Sequence, residues 1–116
     1  MPHLILDITT NIAERAQVHG ILEQLVTEFC EYETIASASV KGYVTVRDIY
    51  KTGDGAAPGF IHLQVCVLAG RDPALLNQMA DGLYSMMAAL FARSVDQNLA
   101  GLTLEIREMA PQTYRK

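Results

Sequence analysis

The sequence has 116 residues, of which 50% are hydrophobic, and its 13 acidic and 9 basic side chains give a formal net charge of −4. A chain of this length fits one domain over residues 1–116, and its apolar content excludes a disordered protein. The negative charge and the scattered basic residues argue against partners such as nucleic acid or an anionic membrane surface.

The first half of the chain predicts a strand, a helix and a second strand. The apolar run from Leu4 to Thr9 has strand length, and hydrophobic residues recur every three or four positions from Ile12 to Cys30, as on a helix face. Val40 to Ile49 alternates hydrophobic and polar residues, which predicts a strand with one polar face. Lys51 to Gly59 is rich in glycine and is expected to form a loop.

The second half predicts the same series of elements. Phe60 to Leu68 alternates like a strand, and Asp72-Pro73 is a typical helix start because Asp caps free N–H groups and Pro suits the first turn. This helix is expected to end at about Ala92, and Gly101 precedes a last strand from Leu102 to Glu108. The predicted order is βαββαβ.

The two halves resemble each other, which indicates an internal duplication. A shift of 59 positions places His3-Leu4 on His62-Leu63, and one further residue of shift places Val44-Thr45-Val46-Arg47-Asp48 on Leu104-Glu105-Ile106-Arg107-Glu108. The predicted fold is therefore α+β, with a duplicated βαβ unit at about residues 2–50 and 60–109. Its four strands form one mixed sheet, and its two helices cover one face.

Alternation along the strands gives this sheet two different faces. The residues expected to meet the helices are Leu4, Leu6, Val44, Val46, Leu63, Val65, Leu104 and Ile106. The opposite face, called the mixed face below, combines His3, Ile5, Asp7, Lys41, Tyr43, Thr45, Arg47, His62, Gln64, Thr103, Glu105 and Arg107. It fits either the solvated surface of a two-layer domain or the partly polar interior of an oligomer whose sheets curl together.

Several classes of site have no support in the sequence. Cys30 and Cys66 show neither CxxC spacing nor a histidine at metal-ligand separation, so we expect two buried, reduced thiols and no metal. Phosphate loops, nucleophile elbows and zinc motifs are missing, and no cofactor is expected. The chain shows neither a leader-like segment nor an apolar run of the ~18 residues that a membrane span needs, which predicts a cytoplasmic protein.

Pro2 is the remaining candidate for chemistry. If Met1 is removed, as is usual before a small residue, Pro2 presents a secondary amine that can act as a general base. Burial and nearby cations would disfavour the protonated amine and bring its pKa towards neutrality. Taken alone, a Met-Pro start is common, and Pro2 is then better explained as the start of a strand, where the missing N–H costs nothing.

Four segments carry a resemblance to a known family: Met1-Pro2-His3-Leu4-Ile5-Leu6, Phe60-Ile61-His62-Leu63, Ala69-Gly70-Arg71 and Leu104-Glu105-Ile106. Together they resemble the 5-carboxymethyl-2-hydroxymuconate Δ-isomerases of the tautomerase superfamily. The likeness runs over nearly the whole chain, and a duplicated βαβ unit is the architecture of that superfamily.

The resemblance implies a homotrimer in which each four-stranded sheet lines a central barrel, so that the mixed face is interior. It also implies a cofactor-independent isomerase in which Pro2, freed of Met1, shuttles a proton between the dienol oxygen and a carbon of a small-molecule carboxylate substrate. The family arginine that holds a substrate carboxylate corresponds to Arg71. From the residues alone, Arg71 is better explained as a surface loop arginine paired with Asp72, although the adjacent helix start favours an anion.

The second carboxylate-binding arginine of the family falls on Lys41, which is a departure from the pattern. Lysine keeps the positive charge but loses the planar two-point grip of a guanidinium group. Tyr43 lies two positions further on the same strand face, where it either lines the substrate site or fills the barrel wall.

Two other functions compete with this isomerase. One is a reaction of the same fold on another unsaturated oxo-acid, which the Lys41 departure favours. The other is a non-catalytic binding or assembly module with a ferredoxin-like sheet. Strand order separates the two folds, because two adjacent parallel βαβ units give the order 2-1-3-4 and the ferredoxin-like arrangement gives 4-1-3-2.

Overall fold

A computed structural model describes residues 1–116 and contains one four-stranded sheet with three helices. The strands are β1 (His3–Thr9), β2 (Lys41–Arg47), β3 (Phe60–Leu68) and β4 (Gly101–Met109). The helices are α1 (Val18–Cys30), α2 (Pro73–Leu90) and the short α3 (Ala92–Asp96). Single 3-10 turns lie at Arg15–Gln17 and Ser37–Ser39.

The strand order of the sheet is β2-β1-β3-β4. β1 runs parallel to β2 and β3 runs parallel to β4, while the two central strands β1 and β3 are antiparallel. This is the order expected for two adjacent parallel βαβ units, and it excludes the ferredoxin-like arrangement. The predicted α+β fold with one mixed sheet is confirmed.

The register of the central strands shows how the two βαβ units are related. Ile5 lies directly opposite Gln64 in the antiparallel pair β1–β3. These are also the two residues that the shift of 59 positions superposes. An approximate twofold axis therefore passes between Ile5 and Gln64 and exchanges one βαβ unit with the other.

The outer strands follow the same symmetry with a different shift. His3 lies opposite Lys41 and His62 lies opposite Thr103, so Lys41 corresponds to Thr103. Sequence similarity instead matched Lys41 to Gly101, two positions earlier. Because side chains alternate along a strand with a period of two, this displacement leaves every residue on its predicted face.

A hydrophobic core lies between the sheet and the helices. Its buried members are Leu4, Leu6, Ile8, Ile12, Ile21, Leu25, Phe29, Ile61, Leu63, Val65, Val67, Met79, Leu83, Met87, Phe91 and Ala100. Gly42 lets α1 approach β2 closely, because a Cβ atom there would lie only 3.0 Å from Cγ2 of Val26.

None of the helices is both long and apolar enough to cross a bilayer.

The structure corrects several local predictions. The first helix begins at Val18 instead of Ile12, because residues 12–17 form a turn and a 3-10 segment that seats Ile12 in the core. The second helix ends at Leu90, and α3 follows it as a separate helix. Val46 is 38% exposed although it was assigned to the core, since β2 is an edge strand with one neighbour.

Two further local predictions have different outcomes. Cys30 and Cys66 are free thiols, as expected, but both are only partly buried. Asp72 does cap α2, since its carboxylate accepts a hydrogen bond from the Ala74 N–H at 2.9 Å and Pro73 follows at the first helical position.

A buried polar contact joins the first βαβ unit to α3. The carboxylate of Glu14, only 5% exposed, accepts hydrogen bonds from the hydroxyl and from the N–H of Ser94, the latter at 3.2 Å. The Ser94 hydroxyl oxygen in turn accepts from the Ala13 N–H at 2.8 Å. Glu14 thereby satisfies a backbone donor in the first turn of α3, which has no partner within the helix.

Glu14→Ala is expected to lower the free energy of unfolding by about 2 kcal/mol, because the buried hydroxyl and N–H of Ser94 would lose their acceptor. Denaturant titration at one protein concentration measures this change. The control is Glu23→Ala on the surface of α1, whose side chain is 69% exposed and should change stability by less than about 0.5 kcal/mol. Equal stability of both variants would contradict a structural role for Glu14.

Candidate active site

A pocket of about 220 Å³ opens where β1 begins and β3 ends. Antiparallel pairing of these strands places the amino end of β1 beside the carboxyl end of β3. The lining residues are Met1, Pro2, Thr34, Ala36, Ser39, Leu68, Arg71 and Lys116. Two of the four predicted site residues, Pro2 and Arg71, thus meet in one concave site, the usual setting for a small-molecule ligand.

Pro2 is buried and held by the sheet. Its carbonyl oxygen accepts a hydrogen bond from the Lys41 N–H at 3.0 Å, which extends the β1–β2 ladder by one residue. The nitrogen of Pro2 is an amide while Met1 is attached. Removal of Met1 would convert it into a secondary amine at the pocket wall and would vacate the space that Met1 lines.

Arg71 is held in the pocket by three hydrogen bonds. Its Nε donates to Oγ1 of Thr34 at 2.8 Å, and its two terminal nitrogens donate to the Leu68 carbonyl at 3.0 Å and the Thr34 carbonyl at 3.2 Å. The predicted alternative of pairing with Asp72 is wrong, because these donors bond to Thr34 and Leu68 while the Asp72 carboxylate caps α2. A guanidinium group has five N–H donors, so two remain for an anion.

Gly70 and Thr34 shape the backbone around Arg71. Gly70 has a φ of 122°, a conformation that glycine adopts without strain, and it turns the chain between β3 and α2. Thr34 has a φ of 70°, which is rare for a β-branched residue. In this strained conformation, the hydroxyl and the carbonyl oxygen of Thr34 both accept hydrogen bonds from the guanidinium group of Arg71.

Sequence patterns did not reveal Thr34. It lies in an irregular segment between α1 and β2, and its partner Arg71 is 37 positions away. Lys116 also lines the pocket and adds a second basic residue, which no motif or spacing indicated. The positive φ of Thr34 and its contact with Arg71 exist only in the folded chain, so a sequence pattern does not reveal them.

The other two predicted site residues are placed differently. Lys41 and Tyr43 lie on the mixed face of β2, and neither lines the pocket in the single chain. Lys41 is exposed and Tyr43 is 49% exposed. Lys41 is nevertheless adjacent to the pocket through its backbone, since its N–H is bonded to the carbonyl of Pro2.

The mixed face carries an ordered set of polar contacts. Arg47 forms an ion pair with Asp7 at 2.8 Å, and the Nδ1 atom of His62 lies 2.7 Å from Oγ1 of Thr103. Burial raises the pKa of the Cys66 thiol, so the thiol is the dominant form at neutral pH. The chain has no cluster of three or more His, Cys, Asp or Glu side chains that could hold a metal ion.

Comparisons with known proteins agree with this fold. A solved 5-carboxymethyl-2-hydroxymuconate isomerase from Deinococcus radiodurans R1 superposes with a TM-score of 0.88 at 24% identity, covering 99% of this chain and 87% of that one. A structure described as "F6 fused 4-OT wild type asymmetric trimer" superposes with a TM-score of 0.74 at 14% identity, covering 98% and 91%. The fold is that of the tautomerase superfamily.

Sequence comparison is more specific than the fold. The family model for 5-carboxymethyl-2-hydroxymuconate isomerase matches residues 2–116. A 5-carboxymethyl-2-hydroxymuconate Delta-isomerase from Escherichia coli is 25% identical over 112 residues, which cover 96% of this chain and 89% of the relative. The chain belongs to the 5-carboxymethyl-2-hydroxymuconate isomerase family and is an enzyme of the isomerase class.

Proposed function

We propose that the protein converts an unsaturated 2-hydroxy acid such as 5-carboxymethyl-2-hydroxymuconate into its 2-oxo isomer, with Pro2 as general base after loss of Met1. The observation that carries this proposal is the meeting of Pro2 and Arg71 in one pocket at the end of the sheet. The pocket places a candidate base next to a guanidinium group that still has free N–H donors. Proton transfer in a substrate that carries a carboxylate requires both groups.

The proposed reaction moves one proton and changes no oxidation state overall. The Pro2 nitrogen takes the proton from the 2-hydroxyl oxygen, and the electrons of that O–H bond form the carbonyl π bond. The conjugated double bonds shift along the chain, and the protonated amine delivers its proton to the carbon at the far end. Because the proton leaves and returns, the reaction needs no external oxidant or reductant.

Arg71 has two proposed effects on this reaction. Its two free N–H donors bind a substrate carboxylate, and its orientation is set by Thr34 and the Leu68 carbonyl before substrate arrives. Its positive charge, which lines the same pocket as Pro2, also disfavours protonation of the amine. Lys41 and Tyr43 are proposed to contact substrate only from their exposed positions beside the pocket.

A second candidate function is the same proton transfer on an unsaturated oxo-acid with fewer carboxylates. It is favoured by the placement of Lys41, which holds the position of a family arginine and yet does not line the pocket. The two candidates are separated by comparing kcat/KM on mono-, di- and tricarboxylic substrates.

We also propose that three copies assemble around their mixed faces. β2 and β4 are edge strands whose outer backbone groups have no strand partner, and the mixed face has no helix packed over it. A second and third copy would cover both. The solved relative described as a trimer shares this fold.

In solution the molar mass by light scattering is expected to be about three times the 12.7 kDa of the chain. Ile5→Glu is expected to dissociate the assembly, because it places a carboxylate in the middle of the mixed face. Ile49→Glu is the matched control, since Ile49 is 93% exposed in a loop, and it should leave the mass unchanged. A monomeric wild-type protein would contradict the proposed assembly.

Retention of Met1 tests Pro2 without substituting any of residues 2–116, and it also leaves the Met1 side chain in the pocket. Protein with Met1 removed is expected to isomerise 5-carboxymethyl-2-hydroxymuconate, whereas protein that keeps Met1 should lose about a hundredfold or more in kcat because its amide nitrogen is not basic. Mass spectrometry verifies each form, and ultraviolet absorbance follows turnover. Pro2→Ala keeps a primary amine and should retain part of the activity, while Pro58→Ala in the exposed loop should retain all of it.

Arg71→Ala is expected to raise KM by about tenfold or more with a smaller change in kcat, because it removes charged hydrogen bonds to the substrate carboxylate. Steady-state kinetics on Met1-free protein measure both constants. Arg93→Ala removes the same charge from the exposed surface of α3 and serves as the control. An unchanged KM for Arg71→Ala would remove Arg71 from the proposed substrate site.

A further inference from the structure

Tyr114, which is not among the predicted site residues, contacts Met1 at the edge of the candidate active site. Tyr114 follows β4 and is partly buried. Its hydroxyl donates a hydrogen bond to the carbonyl oxygen of Met1 at 3.2 Å. This places a phenol beside the group that must leave before Pro2 can act as an amine.

The carbonyl oxygen of Met1 lies close to the Pro2 nitrogen. It is bonded to the carbon that is attached to the Pro2 nitrogen, so ordinary amide geometry puts it about 2.3 Å from that nitrogen. A hydroxyl that gives its proton to Pro2 must bring its oxygen to about 2.6–3.2 Å from the same nitrogen. The Met1 oxygen therefore lies at nearly the distance from the Pro2 nitrogen that the reacting substrate oxygen would need.

We infer that the Tyr114 hydroxyl donates a hydrogen bond to the substrate 2-oxygen while that oxygen loses its proton to Pro2. The inference rests on the proposed function and deepens it by naming a second catalytic group. The O–H bond of the substrate breaks, an N–H bond forms on Pro2, and negative charge grows on the 2-oxygen. Tyr114 keeps its own proton throughout and stabilises that charge by donation, as an oxyanion donor does.

The positions of the other tyrosines favour Tyr114 for this role. Tyr43 is 49% exposed on the mixed face, and its hydroxyl forms no hydrogen bond to a residue of the pocket. Tyr84 lies on α2, where its hydroxyl is 3.5 Å from the Leu102 carbonyl oxygen. Tyr114 is the tyrosine whose hydroxyl is bonded to a residue of the pocket, and loss of Met1 would leave that hydroxyl free to donate elsewhere.

Tyr114→Phe and Tyr84→Phe form a matched pair that tests the inference in Met1-free protein. Tyr114→Phe should lower kcat about a hundredfold, the loss that follows removal of one oxyanion donor, and should leave KM within about twofold. Tyr84→Phe should leave both constants unchanged. If the wild-type protein turns over and Tyr114→Phe has the same kcat, the inference is overturned while the proposed function stands.

A wild-type protein without any turnover would overturn the proposed function together with this inference.

Discussion

The antiparallel pairing of β1 and β3 is the constraint on which the candidate site depends. Pro2 precedes β1 by one residue and Arg71 follows β3 by three, so the two are far apart along the chain. Because the strands run in opposite directions, the start of one and the end of the other lie at the same edge of the sheet. A parallel arrangement of these two strands would separate Pro2 from Arg71 by the length of a strand.

The approximate twofold symmetry of the fold gives each chain two such corners, but only one has the features of an active site. At the other corner Ile12 takes the place of Arg71 and is 4% exposed in the core. There the Thr9 hydroxyl oxygen accepts from the Phe60 N–H at 3.1 Å, and Asn11 donates to the Leu99 carbonyl at 2.9 Å. The second corner is closed by these structural hydrogen bonds.

Much of the fold was predictable because its signals are local and periodic. The bounds of β3, the Asp72 cap and the side of the sheet taken by each strand residue follow from alternation and from the chemistry of single residues. The start of α1 was predicted six residues too early. The hydrophobic spacing continues through Ile12, which is buried by a turn and not by a helix.

The sequence by itself determined the element order, the duplicated unit and the two faces of the sheet, because each depends on residue type and spacing. Pro2 and Arg71 became candidates for one site through the resemblance to a known family. Only the tertiary structure decided how Arg71 is oriented, since its partner Thr34 comes from a segment without periodicity and takes a positive φ. It also decided that Lys41 and Tyr43 stay outside the pocket of one chain and that Tyr114 reaches Met1. These contacts join residues far apart in sequence, and no local pattern records which distant residues the folded backbone brings together.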